Sequence, residues 1–399
     1  MQLGEITEPK IDQAGPPQAG EFKYIDIGSV DNETKRIVDP KRLPAESAPS
    51  RARQRLRGGD VLVSMTRPNL NAVALVPPEL DGAIGSTGFH VLRARDNVLP
   101  RWLFYGVQSR QFVGAMSELV QGALYPAVRP KDIRAFDMSL PELHEQRRIV
   151  AELEKQFSRL DEAVANLKRV GANLKRYKAA VLVDAVDGEL AGDTTGWTAV
   201  RLGDIASSVR NGISIKPVGE SGTRILRISA VRPMALDLGD VRYLAQPLDE
   251  FEAFRLAAGD VLFTRYNGSV DLVGACAAVA ELPEPTVYPD KLIRVRVSSE
   301  VLLPSYLVIA ASTGDARAFI GSRIRTTAGQ AGVSGADVKA IPLRVPPQQE
   351  QQRIVAEVDR RLSIVREVEA EVDANLKRAQ ALRQAVLARA FAAPGESGQ

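Results

Sequence analysis

Glu145-Gln146-Arg147-Arg148-Ile149-Val150-Ala151-Glu152 returns later in the chain as Glu350-Gln351-Gln352-Arg353-Ile354-Val355-Ala356-Glu357. Three shorter echoes accompany it in the same order. Leu3-Gly4-Glu5-Ile6 matches Leu202-Gly203-Asp204-Ile205, Gly59-Asp60-Val61-Leu62 matches Gly259-Asp260-Val261-Leu262, and Leu99-Pro100 with Leu103 matches Leu303-Pro304 with Leu307. The offset drifts only from 199 to 205 along the chain. One shared tetrapeptide arises by chance, but four in order mark two copies of one unit, each about 200 residues long.

Each copy has two textures. Residues 1–143 and 191–346 are rich in Gly, Pro, Val, Ile and Arg. Short apolar runs such as Asp60-Val61-Leu62-Val63 and Lys291-Leu292-Ile293-Arg294-Val295-Arg296-Val297 read as strands. Pro100–Val113 and Pro304–Ile320 read as short helices, so each module is mixed α+β. Residues 144–190 and 347–392 have almost no Pro or Gly and read as one helix each, with 393–399 as a tail. Pro141, and Pro346 with Pro347, suit the helix starts; Gly188 and Pro394-Gly395 suit the ends.

In the first helix Val150, Leu153, Phe157, Leu160, Val164, Leu167, Gly171, Leu174 and Val181 follow alternating steps of three and four, skipping Lys178. The second shows Val355, Val358, Leu362, Val365, Val372, Leu376, Ala379 and Val386, with Glu369 and Arg383 as exceptions. A 3.5-residue period over about five heptads predicts a coiled-coil seam between the two helices. Connectivity sets the direction. A helix of about 40 residues is roughly 60 Å long, more than a module could carry the chain back, so the helices are expected antiparallel. The expected architecture is two similar modules separated by a long antiparallel two-helix coiled coil, with pseudo-twofold internal symmetry.

Composition narrows the function. The 399 residues are 45% hydrophobic and 25% charged, with Lys+Arg 52 against Asp+Glu 49, which is ordinary soluble chemistry and no polybasic tail. A single cysteine, Cys276, excludes a disulfide framework and a cysteine zinc site, and reads as a core residue. Two distant histidines, His90 and His144, argue against a histidine metal centre. Met1-Gln2-Leu3-Gly4-Glu5 has no signal core and no apolar run reaches a bilayer's width, so the cytoplasm is the expected location and no membrane partner is expected. No GxxxxGK[ST] loop is present, because Glu21 stands where a lysine is needed after Gly20. Val-Pro-Pro at 76–78 and 345–347 lacks the Asn and aromatic of an amino-methyltransferase tetrapeptide, and Pro289-Asp290 lacks the acidic-x-Lys of a metal nuclease. The chain is expected to be noncatalytic.

Two diverged modules held at a fixed distance suit a ligand with two separated, different sites. Duplex DNA is one, since its groove faces recur about every 34 Å. Residues 1–143 hold 18 basic and 17 acidic groups, and residues 191–345 hold 17 and 16, so any contact must come from clustering. Arg51, Arg53, Arg55 and Arg57 form one run, its first three the contact candidates; Arg67 with Asn69, and Arg265 with Tyr266 and Asn267, follow corresponding strands. Tyr125, Arg129 and Lys131 lie in another candidate loop, and Arg323 and Arg325 in a further one. Arginine grips guanine bidentately, asparagine grips adenine, and both hold phosphate.

The run Pro141-Glu142-Leu143-His144-Glu145-Gln146-Arg147-Arg148-Ile149-Val150, then Phe157, Leu160-Asp161 and the Asn-Leu-Lys-Arg repeats at 166–169 and 173–176, resembles the conserved region of type I restriction–modification specificity subunits. Tyr125-Pro126-Ala127-Val128 and both Gly-Asp-Val-Leu segments resemble that family's target-recognition domains. The resemblance spans the chain in the order recognition domain, helix, recognition domain, helix. It implies that each recognition domain reads one half of an asymmetric, bipartite sequence in double-stranded DNA, while the helices set the spacer and dock two adenine-methylating subunits. It implies no cofactor on this chain, with S-adenosylmethionine, ATP and magnesium on the methylation and restriction/translocase subunits. Two departures stand out. Trp197-Thr198-Ala199-Val200-Arg201 precedes the second Leu-Gly without a counterpart in the first copy, implying a short first edge strand or a late start; and Gln352 replaces Arg147. The alternative reading is a noncatalytic two-module scaffold that binds protein, favoured by the near-neutral modules.

Overall fold

Val61-Leu62-Val63-Ser64 and Val261-Leu262-Phe263-Thr264 are buried at every position. A strand with no polar face needs apolar packing on both sides. Val61 and Val63 enter a core with Leu3, Trp102, Leu103, Val150, Leu153 and Phe157, while Leu62 enters another with Ile25, Leu56, Ala74 and Val91. In the second copy Val261 and Phe263 join Leu202, Tyr306, Leu307, Ile354 and Val358, and Leu262 joins Leu226, Ala277 and Leu292. The alternation of side chains thus assigns one face of each central strand to the long helices and the other to its own module.

This computed structural model describes residues 1–13, 15–122, 124–327 and 329–392; the Pro394-Gly395 stop and the tail 393–399 lie outside them. Two compact units divide the chain: Met1–Lys168 with Asp373–Gln399, called unit 1, and Arg169–Val372, called unit 2. Each holds one α+β module with parts of both long helices. In unit 1, Val61–Ser64 pairs antiparallel with Val73–Leu75 and Phe89–Leu92. Its companion sheet orders Lys41–Pro44, Glu21–Ile25, Ile84–Ser86 and Ala52–Arg55, with Glu21–Ile25 antiparallel to the first and parallel to Ile84–Ser86. Unit 2 repeats this pattern: Val261–Thr264 lies between Cys276–Ala278 and Leu292–Val297, and Thr223–Leu226 pairs antiparallel with Val241–Leu244 and parallel with Thr286–Val287. The unmatched stretch before the second Leu-Gly builds a strand, Thr198–Arg201, on Pro342–Val345; unit 1 has a single bridge, Gln2 to Asp137, in its place.

The sequence echoes are structural joints. Leu3 and Leu202 are fully buried, and their N–H groups donate to the carbonyls of Phe136 and Ile341, each at 2.9 Å. The following glycines allow close approach: a Cβ on Gly4 would lie 3.2 Å from the Arg134 oxygen, and one on Gly203 2.8 Å from Lys339 Cβ. Asp60 and Asp260 are each 1% exposed and grip an arginine with both oxygens. Asp60 holds Arg93 at 2.7 Å twice, and Asp260 holds Arg296 at 2.7 and 2.9 Å. Each carboxylate also accepts a main-chain N–H, from Arg57 at 2.8 Å and Ala257 at 2.9 Å. Burial of these charges is tolerated because pairing and hydrogen bonding are both satisfied.

The long helices span Leu143–Asp187 and Gln348–Ala390. Within unit 1 the start of the first meets the end of the second: Arg383 contacts Asp161 at 2.7 Å and stacks 4.2 Å over Phe157, while Phe391 packs on Trp102 at 4.4 Å. Within unit 2 the end of the first meets the start of the second, through Val181, Leu182 and Ala185 against Ile354, Val358 and Leu362. The pairing is antiparallel in each unit.

Along the expected seam, Val150, Leu153, Phe157, Val181, Val358, Leu362, Val365, Val372 and Ala379 are buried. Leu160, Val164, Leu167, Gly171, Leu174, Val355, Leu376 and Val386 are half-buried. At the ends of the second helix the neighbours Ile354 and Leu387 (0% exposed each) and Phe391 take the interior places. A straight helix drifts against a strict 3.5 repeat, and where a module also packs on it the buried stripe widens beyond the seam.

Each helix start is locked by a glutamine from the longest repeat. Gln146 and Gln351 are 0% exposed. The Gln146 oxygen accepts the Leu99 N–H at 2.8 Å, and its amide donates to the carbonyls of Asn97 at 3.0 Å and Pro141 at 2.9 Å. Gln351 does the same with Leu303 at 2.8 Å, and with Val301 and Pro346 at 2.9 Å each. The Leu-Pro echo and the Glu-Gln echo are therefore two halves of one joint. Replacing Gln146 or Gln351 by Ala leaves one N–H and two carbonyls, most of them half-buried, without their partner, and we expect a loss of about 2 kcal/mol in the affected unit, measured by denaturant unfolding of each single variant.

Candidate nucleic-acid interface

Beyond each central strand the chain turns out of the core, and there the arginine and asparagine candidates lie. In unit 1 the turn after Ser64 contains Arg67 and Asn69, both exposed. Arg67 and Asn71 adopt left-handed backbone (φ +49° and +46°) around the short helical turn Pro68–Leu70. Such strain in residues with side chains persists only where surroundings fix it. The fixing bonds are visible: Arg67 N–H donates to the Pro126 carbonyl at 2.8 Å and Val128 N–H to the Met65 carbonyl at 2.8 Å. The turn therefore stands beside the Tyr125–Lys131 segment. Tyr125 is 87% exposed, as is Leu124; Lys131 is exposed. Arg129 pairs with Asp132 at 3.0 and 3.2 Å, which holds the Asp132 carboxyl below its ordinary range.

In unit 2, Tyr266-Asn267 forms a ribbon with Gln330–Gly332, which pairs in turn with Arg325–Thr327. Arg265 stacks 4.7 Å from the Tyr266 ring and Lys291 lies 5.0 Å from it. The Asn267 side chain accepts the Ser269 N–H at 2.9 Å. Arg323 stacks over Phe319 at 4.9 Å, and Arg325 is exposed opposite Gly332. Arg265, Tyr266, Asn267 and Arg325 thus share one ribbon.

Main-chain bonds put Arg265 in register with Met65, not Arg67: Met65 donates to Gly88 and accepts from Val128, while Arg265 donates to Lys291 and accepts from Val333. The Arg-x-Asn likeness noted in the sequence is two residues out of register, because the strands before it align residue for residue. Arg51, Arg53 and Arg55 lie elsewhere, exposed on or beside the strand Ala52–Arg55, whose Ala52 and Gln54 point inward. Their tie to the turn runs through Thr87 N–H to Arg51 at 2.9 Å and Met65 N–H to Gly88 at 3.0 Å. A cleft of about 360 Å³ lined by Lys10, Gln54, Met65, Thr87, His90 and Arg134 lies at this junction. Burial, reinforced by Arg134, pushes His90 down to about 4, so the imidazole is neutral at physiological pH. His144 is exposed. Cys276 is core, its thiol pushed up to about 12 by burial.

Several working residues went unread in the sequence. Asp60 and Asp260 lie in a motif that was seen, but their arginines are far along the chain; the matched Arg93 and Arg296 were the available signal. Lys35, in the hairpin Val30–Asp31/Arg36–Ile37, donates to the Asn71 carbonyl at 2.5 Å. Burial, and then Arg383, lowers it from 10.5 to about 8, with Asp31 opposing. Among the described residues no group of three or more His, Cys, Asp and Glu could hold a metal, and no helix is long and apolar enough to cross a membrane.

Two measurements test this geometry. Lys35 binds its proton more weakly folded than unfolded, so wild-type stability relative to Lys35→Met should rise as pH climbs from about 8 towards 10.5; unchanged relative stability over that window contradicts the buried placement. A Cβ on Gly332 would lie 2.2 Å from the Tyr266 ring, so Gly332→Ala should displace Tyr266 and raise tyrosine accessibility to chemical modification.

No protein-family model matches the chain. It is 32% identical over 393 residues to the type I restriction enzyme EcoKI specificity subunit of Escherichia coli K12, covering 94% of this chain and 80% of that one. It is 26% identical over 391 residues to the StySPI specificity subunit of Salmonella potsdam, covering 96% and 81%. Among solved structures, the HsdS subunit from Thermoanaerobacter tengcongensis superposes with a TM-score of 0.56 at 27% identity, covering 98% of this chain and 95% of that one. A chain from a structure of type I R-M complex assembly and conformational transition reaches 0.80 at 27% identity, covering 98% and 96%. With a joint-by-joint internal repeat, paired helices and this likeness along nearly its whole length, the chain belongs to the specificity subunits of type I restriction enzymes.

Proposed function

We propose that each module reads one half of an asymmetric, two-part sequence in double-stranded DNA, and that the paired helices set the gap and dock methylation subunits. The observation that carries this reading is the contrast within the repeat. The joints match between units, down to Asp60–Arg93 against Asp260–Arg296 and Gln146 against Gln351. The turns beyond the central strands do not: Met65-Thr66-Arg67 stands where the other unit has Arg265-Tyr266-Asn267, the latter three half-buried. A constant frame with different tips suits two different half-sites read from one kind of scaffold.

The helices supply a docking surface. In unit 2, Val170 and Tyr177, one heptad apart, are 40% and 47% exposed, and Ile364 and Val368 are 51% and 37% exposed. Apolar side chains repeated on a solvent face suit a helical partner. Two methylation subunits, carrying S-adenosylmethionine, would match a two-fold repeated chain, and restriction/translocase subunits would bring ATP and magnesium. This chain reads and does not react; its place is the cytoplasm, beside the DNA.

The test is a base-resolution map of methylated adenines made by the complex of this chain with its methylation subunits. A two-part motif with a fixed gap is expected. Inserting four residues into both helices at matched positions should lengthen that gap, and an unchanged gap refutes the spacer role. The near-neutral modules favour one other reading, a protein-binding scaffold. Duplex binding by the complex that falls steeply and linearly in log[salt] supports reading of DNA, and binding indifferent to salt supports the scaffold.

A further inference from the structure

Both units tie down the end of the reading turn with a half-buried cation, but from different elements. In unit 1 the residue closing the turn Pro68–Leu70 is Asn71, and its carbonyl accepts Lys35 Nζ at 2.5 Å. In unit 2 the residue closing Val270–Leu272 is Val273, and its carbonyl accepts Arg317 Nη1 at 2.7 Å, while Nη2 donates to the Asp271 carbonyl at 2.9 Å.

The two cations are not equivalent positions. Lys35 sits before the second strand of its hairpin with φ +57°; the matching residue of unit 2, before Ala235–Leu236, is Met234 with φ +60°. Arg317 donates its N–H to the N-cap Thr313 carbonyl at 3.1 Å, and the residue doing so in unit 1, to Ser109 at 3.0 Å, is Val113. Lysine and valine in one unit thus stand where methionine and arginine stand in the other. The cation has changed element while still meeting the residue that closes the turn; by strand register that residue lies one place earlier in unit 2, where Gly274 takes the left-handed backbone that Asn71 takes in unit 1.

Packing alone does not ask for this. Met234 shows that an apolar side chain suits the hairpin position, packed against the core, whereas Lys35 is held there against its own solvation and beside Arg383. Val113, Lys35, Asn71 and Gln384 line one cavity of about 280 Å³ in unit 1. Two oxygens of these residues, Asn71 Oδ1 and Gln384 Oε1, are buried without a donor, so an arginine entering from position 113 finds room and acceptors.

We infer that Lys35 and Arg317 are positioning residues for sequence reading, each holding the left-handed or closely packed end of its turn so that the preceding exposed side chains meet the bases in one geometry. This rests on the reading of DNA by both modules proposed above.

The experiment uses the complex with its methylation subunits and duplexes carrying single mismatches in either half-site, read as the ratio of matched to mismatched methylation rate. Lys35→Met should lower that ratio about tenfold in one half only, and Arg317→Met in the other half only. Lys35→Met with Val113→Arg, which copies the arrangement of unit 2, should restore it, and Lys35→Arg should retain most of it. Assembly and the thermal midpoint, measured alongside, should stay near wild type for Lys35→Met, so a folding defect cannot imitate the result. Loss spread equally over both halves, no loss, or failure of Val113→Arg to rescue in an assembled complex overturns the clamp while leaving DNA reading intact. A wild-type complex with no half-site preference overturns the reading itself, and the clamp with it.

Discussion

Gln146 and Gln351, themselves fully buried, each satisfy three backbone groups at the edge of the core. A helix start leaves its own polar groups unpaired, and so does the loop that enters the neighbouring short helix. One amide side chain closes both deficits at once. Because the amide offers an acceptor and donors in fixed directions, the helix can leave its module at one orientation only. An apolar residue of similar volume would leave that angle soft. Everything a module could present to a ligand is therefore referred to the axis of its helix, twice over, by the same chemistry.

With the joints so fixed, variation is free to collect at the exposed turns. The first three residues of Val61–Ser64 and of Val261–Thr264 face apolar cores on both sides, and Asp60 and Asp260 cannot lose their arginines without burying a bare charge. The turns beyond them meet no such constraint, apart from the carbonyl at their end. There the units keep a cation while exchanging the element that supplies it. Retention of an interaction through a change of residue points to the interaction as the thing kept.

Much of this was legible in the residues. The repeat, the helical spans and their antiparallel sense follow from periodicity and from the reach of a chain, which are local or global properties needing no contact map. The first and last turns of the seam were less legible. Ile354 and Val355 are both apolar, as are Val386 and Leu387, and only the module packed against the helix decides which is inside. Gln146 stood in the strongest repeat without showing its role, since its partners are backbone groups that any sequence carries. The same holds for Lys35. The register of Arg67 against Arg265 misled because side-chain likeness was visible and main-chain pairing was not.

Charge completes the argument. Net charge near zero looks unpromising for a chain that holds DNA, yet the balance is uneven in space. Arg93, Arg129, Arg224, Arg227 and Arg296 all face carboxylates and serve the fold. Arg51, Arg53, Arg55, Arg67 and Arg325 are exposed and form no ion pair among the described residues. Those five carry charge that the fold leaves available for phosphates or base edges. The part of binding that depends on the bases gains most from a turn held still.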